Sequence, residues 1–386
     1  MMEICVLNPY FYPYFGGTEK VLLEIYKRLS KKNNITVITS SVGSEPGETT
    51  FEGIKILRLK TVQRTLPHLP LPLASMDGLN AAIEKTAADI YHINNRYQYF
   101  SSTINTIKNK TSGKLALTIH NSLPKGIDPI TDFGGLAYDI FWGRKIMKRA
   151  DVITAVSKNA METTVPIKFR KKSHVIFNGI DYKSFMPAMD SGRVAKTRAS
   201  MGFEKDGILL ISNGRLTRQK GHSYLIRAVA ELDRIGKPAN LFIIGRGPME
   251  SRLRELAKNL GIQDKVRISN GIGEEDLPYY YNAADMFVFP SLYEPAGMAM
   301  LEALSCGTPT IATKIGGIPE ALQNYGEYIK IKDVKSITNA IMKVSSDIGH
   351  YRKLAIECRE NVIKREHDWN SIAKRYEEAF GQVLGA

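Results

Sequence analysis

Cysteine is scarce in this chain of 386 residues: Cys5, Cys306 and Cys358 lie far apart and are odd in number. That spacing indicates neither a disulfide framework nor a zinc ribbon. Long apolar runs are also missing, and no stretch approaches the roughly 20 residues needed to span a bilayer. The opening MMEICVLNPY reads as an apolar strand with an acid in it. It lacks the basic start and long apolar centre of a signal peptide, so a cytosolic protein is expected. There is no Asp-x-Asp pair, and the nearest acidic cluster, Glu274, Glu275 and Asp276, reads as a helix opening. No essential metal and no cofactor are therefore expected. Helix-turn-helix, zinc-finger and RNA-stacking motifs are absent too, which argues against a nucleic-acid partner.

A 43% hydrophobic fraction can build two cores of ordinary size. The net charge of +14 is uneven: residues 1–185 hold 25 Lys and Arg against 15 Asp and Glu, and the remainder 28 against 24. Two basic clusters stand out, Arg144, Lys145, Lys148 and Arg149, then Lys168, Arg170, Lys171 and Lys172. They are either a solvated basic face or an attraction for an anionic membrane surface or a phosphorylated acceptor.

Short β-rich runs alternate with amphipathic stretches. Strands are expected at 4–8, 36–40, 54–59, 89–93, 115–120, 151–155 and 174–177, with helices at 18–31 and 138–149 among them. Most of these strands are apolar on both faces, as in a sheet covered on each side by helices. LPHLPLPL (66–73) reads as an extended, proline-fixed loop that either packs on its own domain, the commoner case, or meets a lipid or another partner. The stretch 181–198 has no strong period and is expected to be the interdomain linker. Alternation then restarts, with strands at 208–212, 241–244, 266–269, 286–290, 310–313 and 328–331 and helices at 223–235, 249–260, 298–306 and 334–345. The pattern predicts an α/β chain of two Rossmann-like doubly wound domains, 1–183 and 199–365, facing across a cleft. The amphipathic end, 366–386, is a helix that can cross back to the first domain.

Four constellations fall at carboxyl ends of expected strands, where open α/β sheets bind ligands. Gly16 and Gly17 precede a helix whose free N–H groups suit a phosphate, although such pairs are often plain turns. In GRLTRQKG (214–221), Arg215 can fork onto two phosphate oxygens and Lys220 adds a mobile charge. GRGP (245–248) reads foremost as a tight strand-to-helix turn, because Pro248 interrupts the dinucleotide fingerprint. EPAGMAMLE (294–302) sets two acids seven residues apart across a helix start. Glu294 lies beside free N–H groups near Gly297 and Met298. Glu302 is embedded in an apolar run, where a charge needs a partner.

These motifs, with PYFGGTEK (13–20), TIHN (118–121), AVSKNA (155–160), VIFNGID (175–181), IIGRGP (243–248), PSLYEPAGMAMLEALSCGTPTIAT (290–313) and GGIPE (316–320), resemble the family-4 retaining glycosyltransferases of the GT-B fold. The resemblance spans nearly the whole chain. It implies that Arg215 and Lys220 hold the diphosphate of a nucleotide-sugar donor, a UDP- or GDP-sugar. Glu294 would bind hydroxyls of the sugar and Glu302 those of the ribose. Gly297, Met298 and Gly245 would line the donor, Gly16 and Gly17 would offer N–H groups to the phosphates, and His120 would face the reacting sugar. Apart from the resemblance, the basic, proline-looped first domain points to a lipid-linked acceptor or a growing glycan, with peripheral contact to an anionic membrane. Ala296 stands where many relatives carry a larger residue, which leaves the donor sugar open, and Asn121 where several have Asp. A nucleotide-sugar epimerase and a non-catalytic sugar- or membrane-binding scaffold remain the competing readings.

Overall fold

Ten strands arise among the described residues of the first part of the chain: β1 (Glu3–Leu7), β2 (Asn34–Ser40), β3 (Gly47–Phe51), β4 (Ile54–Leu59), β5 (Thr61–Leu66), β6 (Leu69–Ala74), β7 (Ile90–Asn94), β8 (Lys114–Ile119), β9 (Val152–Ala155) and β10 (Ser173–Val175). The computed structural model describes every residue except 15, 67–68, 97–98, 123–128, 188, 204–206 and 386. It divides into two units, Met1–Gly179 with Trp369–Ala386, and Ile180–Asp368.

In the first unit the sheet runs β10-β9-β8-β7-β1-β2-β4-β3. All its pairs are parallel except β3 with β4. Succession leaves β1 toward β2 and later returns to β7 on its other side, so the switch point lies between β1 and β7. β3 was not expected because GETTF has no apolar alternation. It is an exposed edge strand, joined to β4 by Glu52 and Gly53, both at positive φ, the hairpin turn that fits strand twist.

Two expectations change here. The proline-rich stretch is not a bare loop: β5 and β6 pair antiparallel, with Gln63 opposite Pro72 and Thr65 opposite Pro70. A two-stranded ribbon has only edges, and prolines two apart place both missing donors on one of them. Pro67 and His68 lie outside the described residues. The helix expected at 138–149 begins earlier, at Pro129, and its run Pro129–Tyr138 passes through a π-helical turn, Asp139–Gly143, into Arg144–Arg149.

The second unit holds β11 (Ile208–Asn213), β12 (Ala239–Ile244), β13 (Val266–Ser269), β14 (Met286–Phe289), β15 (Thr310–Thr313) and β16 (Glu327–Ile329). They form an all-parallel sheet in the order β13-β12-β11-β14-β15-β16. Alternate residues supply its two cores: Leu209, Ile211, Phe287 and Phe289 join one, Leu210, Met286, Val288 and Ile311 the other. That period of two under helices on both faces is why the strands read as continuous apolar runs.

The linker expected at 181–198 is instead part of the second unit. Phe185 is buried there, and its carbonyl accepts from Ser305 Oγ at 2.6 Å and Arg359 Nη1 at 2.9 Å. Asp190 caps the helix Ser191–Ser200 by accepting from Gly192 and Arg193 N–H. Arg193 pairs with Asp276 at 2.6 Å and Arg198 with Asp285 at 2.8 Å. Polar fastening of this kind leaves no apolar period to read. The final helix, Trp369–Leu384, belongs to the first unit, where Asn33 Nδ2 donates to Glu377 Oε1 at 2.9 Å. Cys5, Cys306 and Cys358 are all buried free thiols. No helix among the described residues is long and apolar enough to cross a membrane.

Candidate active site

The switch point of the second sheet lies between β11 and β14, and the segments leaving these strands carry Arg215, Lys220, Glu294 and Gly297, with Met298 and Glu302 in the helix that follows. The loop after β11 ends in a short helical turn, Arg218–Lys220, before the helix His222–Arg234. The loop after β14 ends at Gly297, which caps the helix Met298–Ser305 at φ +73, a left-handed conformation that side chains rarely adopt. Lys220 Nζ donates across the switch point to Glu294 Oε2 at 2.5 Å, and Glu294 Oε1 accepts from the Gly297 N–H at 3.0 Å. The ammonium also sits 4.9 Å from the Phe289 ring centre. The Glu294 carbonyl accepts from Gly317 N–H at 3.1 Å, so the segment after β15 closes onto the same loop. With side chains 20% and 9% exposed, the Lys220–Glu294 pair is sheltered enough that each charge requires the other.

Glu302, one turn into the helix behind Met298, is buried, and its Oε2 accepts from Tyr281 Oη at 2.8 Å. Asn213 Nδ2 in turn donates to Tyr281 Oη at 2.7 Å. Burial, reinforced by the Glu302 carboxylate, raises the Tyr281 phenol well above its ordinary range, so it remains a donor. Tyr281 and Asn213 were not singled out from the sequence. Nothing in the run Tyr279, Tyr280, Tyr281 marks the third ring as the one that meets the acid.

Arg215 is exposed and has no ion-pair partner among the described residues. Its neighbour Leu216 is fully buried and ties two loops together: its N–H donates to Arg246 O at 2.8 Å, and its carbonyl accepts from Met249 N–H at 2.9 Å. Gly245 lies against the same loop, where a Cβ would come within 2.0 Å of the Gly214 carbonyl oxygen. Its geometry is that of a close backbone crossing. Four buried polar atoms of this edge, Ser212 Oγ, Thr217 Oγ1, His222 Nδ1 and Ser291 Oγ, have no hydrogen-bond partner among the described residues. Burial, then the Lys220 charge, lowers the His222 pKa to about 3, so its ring is neutral at pH 7.

The remaining candidates belong to the first unit and share the carboxyl edge of its sheet, where β8, β7 and β1 are consecutive. His120 follows β8, is 7% exposed and lies 3.3 Å from Asn94 Oδ1 at the end of β7. Burial lowers its pKa to about 4. Behind it His92 bridges the Tyr26 hydroxyl and Thr118 Oγ1, and Thr118 reaches Thr154 at 2.6 Å. Arg96, fully buried, donates to Asp139 Oδ1 at 2.7 Å and to the carbonyl of Asn121 at 2.8 Å, which fixes the backbone just after His120. Gly16 and Gly17 open the helix Gly17–Leu29. Glu19 folds back there, so that a Cβ on Gly16 would lie 2.2 Å from Glu19 Oε2. This helix start therefore already carries an acid, in the position of a capping-box glutamate. Among the described residues no three His, Cys, Asp or Glu side chains gather as metal ligands. Asp276, of the acidic cluster, stands at the start of the helix Leu277–Ala283 and pairs with Arg193.

Two family profiles cover most of the chain: Glycosyltransferase Family 4 matches residues 15–184 and Glycosyl transferases group 1 matches residues 194–365. The chain belongs to the family-4 glycosyltransferases of the GT-B fold. It is 33% identical over 58% of its length to an uncharacterized glycosyltransferase of Methanocaldococcus jannaschii. It is 31% identical over 53% of its length to a GDP-mannose-dependent α-(1-6)-phosphatidylinositol monomannoside mannosyltransferase of Mycolicibacterium smegmatis. These matches span 57% and 55% of the two relatives, little more than half of each. Anabaena HepE, solved in complex with UDP and glucose, shares the fold with a TM-score of 0.78, at 18% identity over 99% of this chain and 100% of that one.

Proposed function

We propose that this glycosyltransferase moves a hexosyl group from a nucleoside-diphosphate sugar to a glycan or lipid-linked acceptor, with retention of configuration and without an essential metal. The observation that carries the reading is the Lys220–Glu294–Gly297 constellation at the switch point of the second sheet. A mobile cation, a carboxylate and a helix start meet there, with the exposed Arg215 on the same loop. Arg215 and Lys220 take the diphosphate and stabilise its growing charge as the sugar departs, the largest electrostatic contribution expected. Lys220 can do so only by shifting from Glu294 toward the phosphate, which leaves Glu294 free to accept from sugar hydroxyls. Glu302, held by Tyr281, accepts from the ribose diol. Gly297 and Met298 present the helix start to the donor, Gly245 keeps the neighbouring loop close, and Gly16 and Gly17 offer backbone N–H groups. His120, neutral at pH 7, forms hydrogen bonds to the reacting sugar without adding charge. The acceptor hydroxyl attacks on the leaving-group face and a departing phosphate oxygen takes its proton.

The donor base is uracil or guanine on this reading, and the site of action is the cytoplasmic face of a membrane. A panel of UDP-, GDP- and ADP-sugars tests it through release of nucleoside diphosphate with and without acceptor, in the presence of EDTA. Acceptor-dependent release with an axial product anomer from an axial donor is expected. Interconversion of donor sugars, or loss of turnover in EDTA restored by a divalent cation, overturns the corresponding part.

A further inference from the structure

The helical run that follows β8 carries a surface unlike the rest of the molecule. Phe133, Leu136, Ile140, Phe141 and Trp142 are 73%, 45%, 44%, 59% and 57% exposed. Among the described residues every exposed phenylalanine and tryptophan lies in this segment. The run is anchored from its other side: Asp139, Gly143, Ile146 and Met147 are buried, and Asp139 is locked to Arg96. The apolar side chains are therefore held outward by a fixed helix.

Cations border them. Arg144, Lys145, Lys148 and Arg149 are exposed on the next turns. The second basic cluster joins the first, because Lys172 Nζ donates to the carbonyls of Lys148, at 3.1 Å, and Ala150. It repeats the same mixture, with Ile167 79% exposed beside exposed Lys168, Arg170 and Lys171. No acid interrupts residues 140–150.

We propose that residues 133–149, with 167–171 beside them, dock the first unit onto an anionic lipid bilayer. Phe141 and Trp142 enter the interface and the flanking cations meet lipid phosphates. Exposed aromatic and aliphatic groups edged by Lys and Arg, with Asp139 buried and paired to Arg96, match an interfacial segment, in which apolar burial and attraction to anionic headgroups add. This deepens the membrane-proximal part of the proposed function and rests on that reading only for its purpose, because binding requires neither donor nor acceptor.

The chain contains two tryptophans, and Trp369 is buried at 2% exposure, so Trp142 is a built-in reporter. The test is co-sedimentation of the full chain with vesicles of phosphatidylcholine alone or mixed with phosphatidylglycerol, together with tryptophan emission. Partitioning at least about ten-fold higher on the anionic vesicles is expected, with a blue shift that Trp142→Phe removes. Arg144→Glu with Lys145→Glu lowers partitioning by about ten-fold or more, and raised salt does the same to the wild type. Phe133→Ser with Phe141→Ser lowers it on both kinds of vesicle. Donor hydrolysis and melting temperature, measured in the same variants, report on the transferase reading and on folding separately. Equal binding to both vesicle types, or undiminished binding by folded variants, overturns the proposal. So does lipid-free self-association that these substitutions abolish, because the face then belongs to a second copy of the chain.

Discussion

The carboxyl edges of the two sheets solve burial in opposite ways. In the second unit a sheltered ammonium is neutralised by Glu294 and a buried carboxylate is satisfied by Tyr281. In the first, the candidate group His120 is neutral and sits among amides, hydroxyls and another neutral imidazole. The buried charges that back it, Arg96 and Asp139, are tied to each other. Neutral dipoles tolerate burial with partial hydrogen bonding, whereas charges require a partner. On the proposed function, charge stabilisation belongs to the second edge and uncharged hydrogen bonding by His120 to the first.

The sharpest way to break that comparison is Lys220→Ala. Turnover should fall by roughly 10²–10³-fold, the size of losing one donor aimed at developing charge, while donor affinity falls less. His120→Ala should cost less than this. A steady-state comparison of kcat and KM for the two variants decides it, and a larger kcat loss at His120 would invert the assignment.

Next in size is the buried carboxylate. If Glu302 accepts from the ribose as proposed, Glu302→Ala should weaken donor binding by about 1.5–3 kcal/mol, read as a raised KM or by calorimetry, the size of lost charge-assisted hydrogen bonds. Tyr281→Phe removes the bond that holds Glu302 and the acceptor of Asn213 Nδ2, but no group that the proposed function places on the donor. It should lower stability by about 1–3 kcal/mol in denaturant melts and shift KM by less. If Tyr281→Phe moves KM as much as Glu302→Ala, the tyrosine itself meets the donor.

Acid tests the first edge. Burial lowers His120 to about 4 and His92 to about 3, against an ordinary value near 6.5. Between those values the unfolded chain binds more protons than the folded one, so stability is full above about pH 6.5 and is lost as pH falls toward 4 and 3. Each ring contributes a slope of at most about 1.4 kcal/mol per pH unit. His222, in the second unit, adds a loss of the same sign. Denaturant melts at pH 7.5, 5.5 and 4.5 should show this decline, and His120→Gln should flatten part of it. An inflection near 6.5 in the rate profile that His120→Gln removes would show that the ring titrates normally and is not neutral by burial.

How much of this was legible depends on range. Strands 54–59, 266–269 and 310–313 occupy their expected bounds because an apolar run between turn residues is a local property. β3 was not legible because a polar edge strand is defined by its partner, β4. The helix Ser191–Ser200 was not legible because its fastening, through Arg193 and Arg198, comes from residues 83 and 87 positions away. At the second edge the motif spacing accounts for Glu294 meeting Gly297, three positions on, whereas Lys220 reaches Glu294 from 74 positions away because β11 and β14 are neighbours. The same reading missed Asn213 and Tyr281, whose value lies in a bond to Glu302 that only the fold creates. At the first edge it missed Arg96, which holds the Asn121 carbonyl from a distance of 25 residues.

The smallest expected change separates structural from functional glycine at the helix that follows β1. A Cβ on Gly17 meets nothing within 4 Å, whereas one on Gly16 meets Glu19 Oε2 at 2.2 Å. Gly17→Ala should therefore leave stability unchanged or slightly raised, by about 0.5 kcal/mol or less, since alanine favours helix over glycine. Gly16→Ala should lower stability by displacing the Glu19 carboxylate from the helix start. If the Gly17 backbone approaches a phosphate, its alanine variant should lose turnover several-fold without losing stability, because a methyl group keeps the ligand at a distance. Unchanged turnover in a fully folded Gly17→Ala protein would reduce this pair to a turn and leave phosphate recognition wholly with Arg215, Lys220 and the helix start at Gly297.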